Sequence, residues 1–81
     1  MIYTATITIG LKDGMLDPEA MAIQHALGNL GFETDELKTE KLFQVRFPAK
    51  SQEEAEEKAR AMVERLLANP VIHRYRIEVH R

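Results

Sequence analysis

The chain has 81 residues, of which 44% are hydrophobic and 30% charged, with a formal net charge of −2 and no cysteine. This composition is globular rather than disordered, and the length fits a single domain spanning residues 1–81. It excludes disulfides and thiolate metal sites, leaves no broad positive field for nucleic acid, and implies a thin core that needs good helix caps or a partner.

From Ile2 to Leu11 the residues alternate, with Tyr3, Ala5, Ile7, Ile9 and Leu11 on one face and Thr4, Thr6 and Thr8 on the other. That period of two, rich in β-branched residues, predicts a strand. Lys12-Asp13-Gly14 reads as a turn. Asp17-Pro18 then starts a helix, because Asp17 can accept hydrogen bonds from free backbone N–H groups and Pro18 is pre-set for the first helical position. Ala20, Ile23, Leu27 and Leu30 follow at helical spacing with Ala26 alongside, so this stripe is expected to face the core. Gly31 supplies the left-handed residue that ends the helix.

A short strand is expected near Asp35–Lys38. A clearer one covers Leu42–Phe47, where Phe43, Val45 and Phe47 alternate with Gln44 and Arg46. Thr39-Glu40-Lys41 would link the two, and Pro48 ends the second. Ser51–Leu67 is the strongest helical segment. Ser51 and Glu54 form a capping-box pair, and Ala55, Ala59, Met62 and Leu66 fall on one face. Glu54–Lys58 and Glu56–Arg60 stand at the favoured i,i+4 spacing. Asn69-Pro70 stops the helix, and Val71–Val79 alternates again as a last strand. The order β-α-β-β-α-β is the α+β plan of ferredoxin-like domains, an antiparallel sheet with two helices on one face. The other face would carry Thr4, Thr6, Thr8, Arg74 and Arg76, together with Ile2 and Ile72.

Little in the sequence carries chemistry. His25, His73 and His80 form no metal-ligand spacing, since a tetrahedral site needs three or four ligands, and His73 reads as a boundary histidine. Ser51, the one serine, reads as a helix cap rather than a nucleophile. Asp13 and Asp17 read as turn former and cap. Gly10, Gly14, Gly28 and Gly31 make no phosphate loop. RNA-recognition domains share the element order but stack bases on exposed strand aromatics, whereas Phe43 and Phe47 here are the apolar members of an alternating strand. No nucleic-acid partner is expected. Residues Met1–Gly10 lack a basic region and cleavage site, and no apolar run approaches the about 20 residues of a membrane span, so no membrane association and a cytoplasmic location are the expectations.

Two stretches resemble a known family. Lys12-Asp13-Gly14-Met15-Leu16-Asp17-Pro18, followed by Ala26-Leu27-Gly28-Asn29-Leu30-Gly31, is similar to a K-x-G-[VI]-L-D-P segment leading into a helix that ends A-L-x-x-L-G. Leu67-Ala68-Asn69-Pro70-Val71-Ile72, with Tyr75 and Ile77, is similar to an L-x-N-P-V-I-E-x-Y-x-I stretch. Both belong to the PurS subunits of phosphoribosylformylglycinamidine synthase. The chain departs from the pattern at Glu40, where a turn glycine is usual, at His73 in place of Glu, and at Ala20 in place of Gly.

The resemblance implies a subunit without catalytic residues or cofactors of its own, since ATP and Mg are used by a large synthetase subunit. It implies a dimer or higher homo-oligomer that bridges this synthetase and a glutaminase subunit for ammonia transfer. The partner-contact candidates are the family-matching positions Lys12, Gly14, Leu16, Asp17, Pro18, Asn69 and Pro70. Lys12 leads them because no turn or cap explains it. The alternative from another class is a ferredoxin-like regulatory module that binds a small ligand, such as an amino acid, near the Gly14 loop.

Overall fold

The computed structural model describes residues 1–81. The central strand, β1 (Ile2–Leu11), pairs antiparallel with β2 (Glu40–Pro48) on one side and β3 (His73–His80) on the other. The register sets Ala5 between Val45 and Val79, and Ile7 between Phe43 and Ile77. Because side chains alternate along each strand, these rows make one apolar face. Thr4, Thr6 and Thr8 lie on the opposite face beside Arg46, Gln44, Glu78 and Arg76. The alternation read from the sequence is therefore the two-sidedness of the sheet.

Helix α2 (Gln52–Met62) covers the apolar face over β1 and β3. Its N-terminus is capped by Ser51, whose Oγ accepts from the Glu54 N–H at 3.1 Å. Ala55 and Ala59 are fully buried, and these small side chains let the helix lie close to the sheet. Gln52 Nε2 donates to the Val79 carbonyl, and Lys58 Nζ to the Pro48 carbonyl, each at 3.0 Å. Only half of the expected capping box forms, because the Glu54 carboxylate pairs with Lys58 at 3.2 Å. The expected Glu56–Arg60 pair is absent, and Glu56 instead accepts from Gln52 Nε2 at 3.1 Å.

A π-helical turn, Val63–Leu67, extends α2. The wider turn rephases the apolar stripe, so that Val63 is fully buried and Leu67 half-buried. Leu66, expected in the stripe, points outward at 84% exposure. Tyr75 reaches across from β3 and donates to Glu64 Oε1 at 3.1 Å. That bond, with partial burial, raises the phenol above its ordinary pKa.

Helix α1 (Pro18–Asn29) forms where expected and ends in a Schellman motif. The Phe32 N–H donates to the Leu27 carbonyl at 2.9 Å and the Gly31 N–H to the Gly28 carbonyl at 3.0 Å, with Gly31 at φ +95°. Its stripe does not enter the chain's own core, however. Ala20 is buried and Leu27 half-buried, but Ile23 and Leu30 are 43% and 73% exposed. The segment 32–39 that follows has no ladder partner, so the short strand expected near Asp35–Lys38 is not formed. A strand exists only when another strand completes its hydrogen bonds. The architecture is thus the expected α+β, ferredoxin-like plan of an antiparallel sheet and two helices, with unpaired chain at the second strand position. No helix is long and apolar enough to cross a membrane.

Candidate functional site

Two segments far apart in sequence meet at one end of the sheet. The Lys12 N–H, just past β1, donates to the Ile72 carbonyl at 2.9 Å, just before β3. This bond joins the Lys12–Pro18 turn to the Asn69–Ile72 turn, and so brings together the two stretches that hold the seven candidate residues.

The first turn closes through the Met15 N–H to the Lys12 carbonyl at 3.2 Å, with Gly14 at φ +86°. An L side chain would be strained there, which accounts for the glycine. Leu16 is 72% exposed, an apolar side chain left largely to solvent. Asp17 Oδ1 accepts from the Ala20 N–H at 3.0 Å and caps α1, while Oδ2 accepts from the Thr39 hydroxyl at 2.8 Å. Those two bonds favour the ionised form and hold the carboxyl below its ordinary pKa. Pro18 occupies the first helical turn, where its missing N–H costs nothing.

The second turn is organised by Asn69. Its Oδ1 accepts from the Val71 N–H at 3.0 Å, and its carbonyl from the Ile72 and His73 N–H groups at 3.1 and 2.8 Å. Its own N–H donates to His73 Nδ1 at 2.9 Å. His73 is therefore a structural acceptor, with its ring hydrogen on Nε2. Pro70 is exposed beside it.

A cleft of about 240 Å³ opens beside the first turn, between Lys12, Gly14 and Asp17 on one wall and Glu36–Glu40 with Arg74 on the other. Its charges are mostly matched within the chain: Asp13 faces Lys38 at 3.7 Å and Arg74 at 3.6 Å, and Lys38 also meets Glu36 at 3.2 Å. Lys12 makes no such ion pair and is exposed. No group of three or more His, Asp or Glu side chains is placed to hold a metal ion. Ser51, His25 and His73 are remote from one another in role, as cap, exposed helix residue and backbone acceptor, and form no nucleophile–base pair. The arrangement presents polar backbone and, at Lys12, one cation of the cleft without an ion-pair partner.

The residues that sequence reasoning missed are Lys38, Thr39 and Arg74. The Asp17–Thr39 bond spans 22 residues, and no local periodicity signals a contact of that range.

The chain matches the family model described as PurS, phosphoribosylformylglycinamidine (FGAM) synthase, over residues 4–81. It is 42% identical over 81 residues to the phosphoribosylformylglycinamidine synthase subunit PurS of Methanocaldococcus jannaschii, covering 99% of this chain and 98% of that one. It is similar to the solved structure of Thermus thermophilus PurS, with TM-score 0.85 and 43% identity, covering 100% of this chain and 98% of that chain. A chain in the structure of PurLQS from Thermotoga maritima has the same fold, with TM-score 0.88 at 23% identity and 99% coverage of both chains.

Proposed function

The chain belongs to the PurS family of FGAM synthase subunits, which serve purine biosynthesis, and on that premise we propose that it is a non-catalytic bridging and assembly subunit. In this reading it works in the cytoplasm as a homo-oligomer. It holds the glutaminase subunit against the ATP-dependent synthetase subunit, so that ammonia passes between them before it escapes to water. ATP and Mg are bound by the synthetase, and this chain contributes no catalytic side chain.

The observation that carries the reading is the meeting of both family-matching segments at one end of the sheet, around the exposed and unpaired Lys12. Gly14, Asp17, Pro18, Asn69 and Pro70 shape the two turns that present it, and Leu16 adds an exposed apolar contact. The test is glutamine-dependent amidine synthesis by the synthetase and glutaminase subunits, with and without this chain. The expected result is activity that requires the chain, while the chain alone turns over nothing. Activity indifferent to its presence would overturn the bridging role.

A further inference from the structure

One of the two turns at the end of the sheet is closed by a side chain that can change its charge. Ala68, just past the π-helical turn, still donates to the Val63 carbonyl at 2.9 Å. Asn69 is the first residue whose N–H leaves the helix, and it donates to His73 Nδ1 at 2.9 Å. With the Val71 N–H on Asn69 Oδ1, and the Ile72 and His73 N–H groups on the Asn69 carbonyl, four bonds fold residues 69–73 back on themselves. Three of them join amide groups, which keep their charge state at any working pH. The fourth depends on a lone pair that a proton removes.

Neutral imidazole has one acceptor nitrogen, and imidazolium has none, because both ring nitrogens then donate. A proton on Nδ1 leaves two N–H groups pointing at each other across a distance set for one hydrogen bond. The ring must then turn away, or the Asn69 N–H must turn to water. Histidine is the side chain whose charge ordinarily changes between about pH 5 and 8.

The surroundings give the charged ring somewhere to go. His73 is half-buried on the rim of a second cleft, of about 280 Å³, whose apolar lining includes Leu11 and Leu67. The charged groups on that cleft are Asp17 and Glu19 at the start of α1, and Glu40 and Lys41 at the start of β2. Along β3 itself, Arg74 faces Asp13 and the Tyr75 hydroxyl donates to Glu64. Three carboxylates against one ammonium leave the cleft negative, which attracts an imidazolium. A proton therefore removes a bond on one side of the ring and adds an attraction on the other.

The effect reaches the neighbouring turn. Ile72 lies inside the 69–73 fold, and its carbonyl holds the Lys12 N–H at 2.9 Å. We propose that His73 is a proton-operated latch on this end of the sheet. The neutral ring closes the Asn69 turn and steadies the Lys12 turn through Ile72. The protonated ring releases both, so the end is ordered at the upper end of the histidine range and loosens as pH falls. The latch stands on geometry within this chain; only its consequence for partner subunits rests on the bridging reading.

The experiment is nitrogen-15 NMR of the full chain between about pH 8 and pH 5, following the Asn69 amide and the His73 ring together. The Asn69 amide signal is expected to move with the His73 titration. Its protection factor, which is corrected for the intrinsic pH dependence of exchange, should fall about fivefold, the weight of one ordinary hydrogen bond. His73→Asn carries an acceptor oxygen on a short side chain and does not titrate, so the amide keeps its high-pH signal throughout. His73→Lys, a cation without an acceptor, holds the amide at its low-pH signal throughout. Amides of β1 and β3 that stay in place in both variants separate an open latch from a lost fold. His80→Asn, at an exposed histidine paired with Glu78, leaves the Asn69 response unchanged. An Asn69 amide that ignores the His73 titration, or that shifts equally in His73→Asn, overturns the latch. With the partner subunits present, the ratio of wild-type to His73→Asn affinity cancels the partners' own pH dependence and should fall about fivefold across the same range. A flat ratio beside a switching amide supports the latch and takes the Asn69 turn out of partner docking, which is a failure of the bridging site and not of the latch.

Discussion

The two helices have nearly the same length and the same kind of start, yet opposite fates within one chain. Helix α1 has twelve residues capped by Asp17, and α2 has eleven capped by Ser51. The more apolar of the two is α1, and it is the one left uncovered. Helix α2 is rich in glutamate, and its Ala55, Ala59 and the following Val63 are fully buried. The contrast separates two questions that hydrophobic periodicity tends to merge. Caps and periodicity decide that a segment is helical and which side seeks cover. They do not decide which surface provides it.

The comparison breaks most visibly in the core beneath α2. Ile7→Ala removes a fully buried side chain and is expected to cost about 2–5 kcal/mol, read as a lower urea midpoint at every protein concentration. Ile23→Ala on α1 should instead cost less than about 0.5 kcal/mol where the chain is dilute, and become destabilising only as concentration rises. Equal, concentration-independent costs at the two sites would show that α1 belongs to its own chain's core.

The caps provide the next contrast. Ser51→Ala should lower global stability by about 1 kcal/mol, because α2 is part of the cooperative core. Asp17→Ala should show mainly as lost helical signal in α1 and increased amide exchange in residues 18–39, with the sheet's urea midpoint little moved. A Ser51→Ala chain with an unchanged midpoint would mean that α2 is held by packing alone.

Acid should loosen both helix starts. The Asp17 and Glu54 carboxyls lie below their ordinary values of 3.8 and 4.5, the first through bonds from Ala20 and Thr39 and the second chiefly through Lys58. The folded chain therefore holds fewer protons than the unfolded chain in this range. The stability they contribute is complete above those ordinary values and is lost as pH falls through the lowered ones. Asp17→Asn can still cap α1 but cannot titrate, so α1 helicity in this variant should be flatter between neutral pH and acid than in the wild type. An identical acid profile would remove Asp17 from the account.

The smallest effect on stability is expected at Lys12, which is exposed and has no ion-pair partner. Lys12→Glu should change the midpoint by less than about 0.5 kcal/mol while weakening association with the synthetase and glutaminase subunits. Unchanged association would end its role as a partner contact.

Much of the fold was legible because it depends on local rules. The alternation in Ile2–Leu11, the Asp17-Pro18 and Ser51 starts, the Gly31 stop and the alternation around Phe43 and Tyr75 each appear as the element they predict. The failures share a cause. The strand expected at Asp35–Lys38 needs a neighbour to pair with, Leu66 turns outward because a π-helical turn changes the phase of the stripe, and Glu56 finds Gln52 in place of Arg60. Each depends on geometry that a residue pattern does not record.

The candidate site was legible as two motifs but not as one place. The spacing of Lys12, Gly14, Asp17 and Pro18, and of Asn69 and Pro70, identifies two turns and connects the chain to its family. The Lys12–Ile72 backbone bond and the arrival of Arg74 beside Asp13 come only when β1 and β3 pair, and the Asp17–Thr39 bond only when β2, which Thr39 precedes, pairs with β1. Local sequence set the caps, the turns and the faces, because those are decided by backbone preferences within a few residues. The tertiary structure alone decided what those faces meet, leaving α1 and the β2 side of the sheet uncovered, because hydrophobic burial is non-directional and takes whatever surface the topology brings within reach.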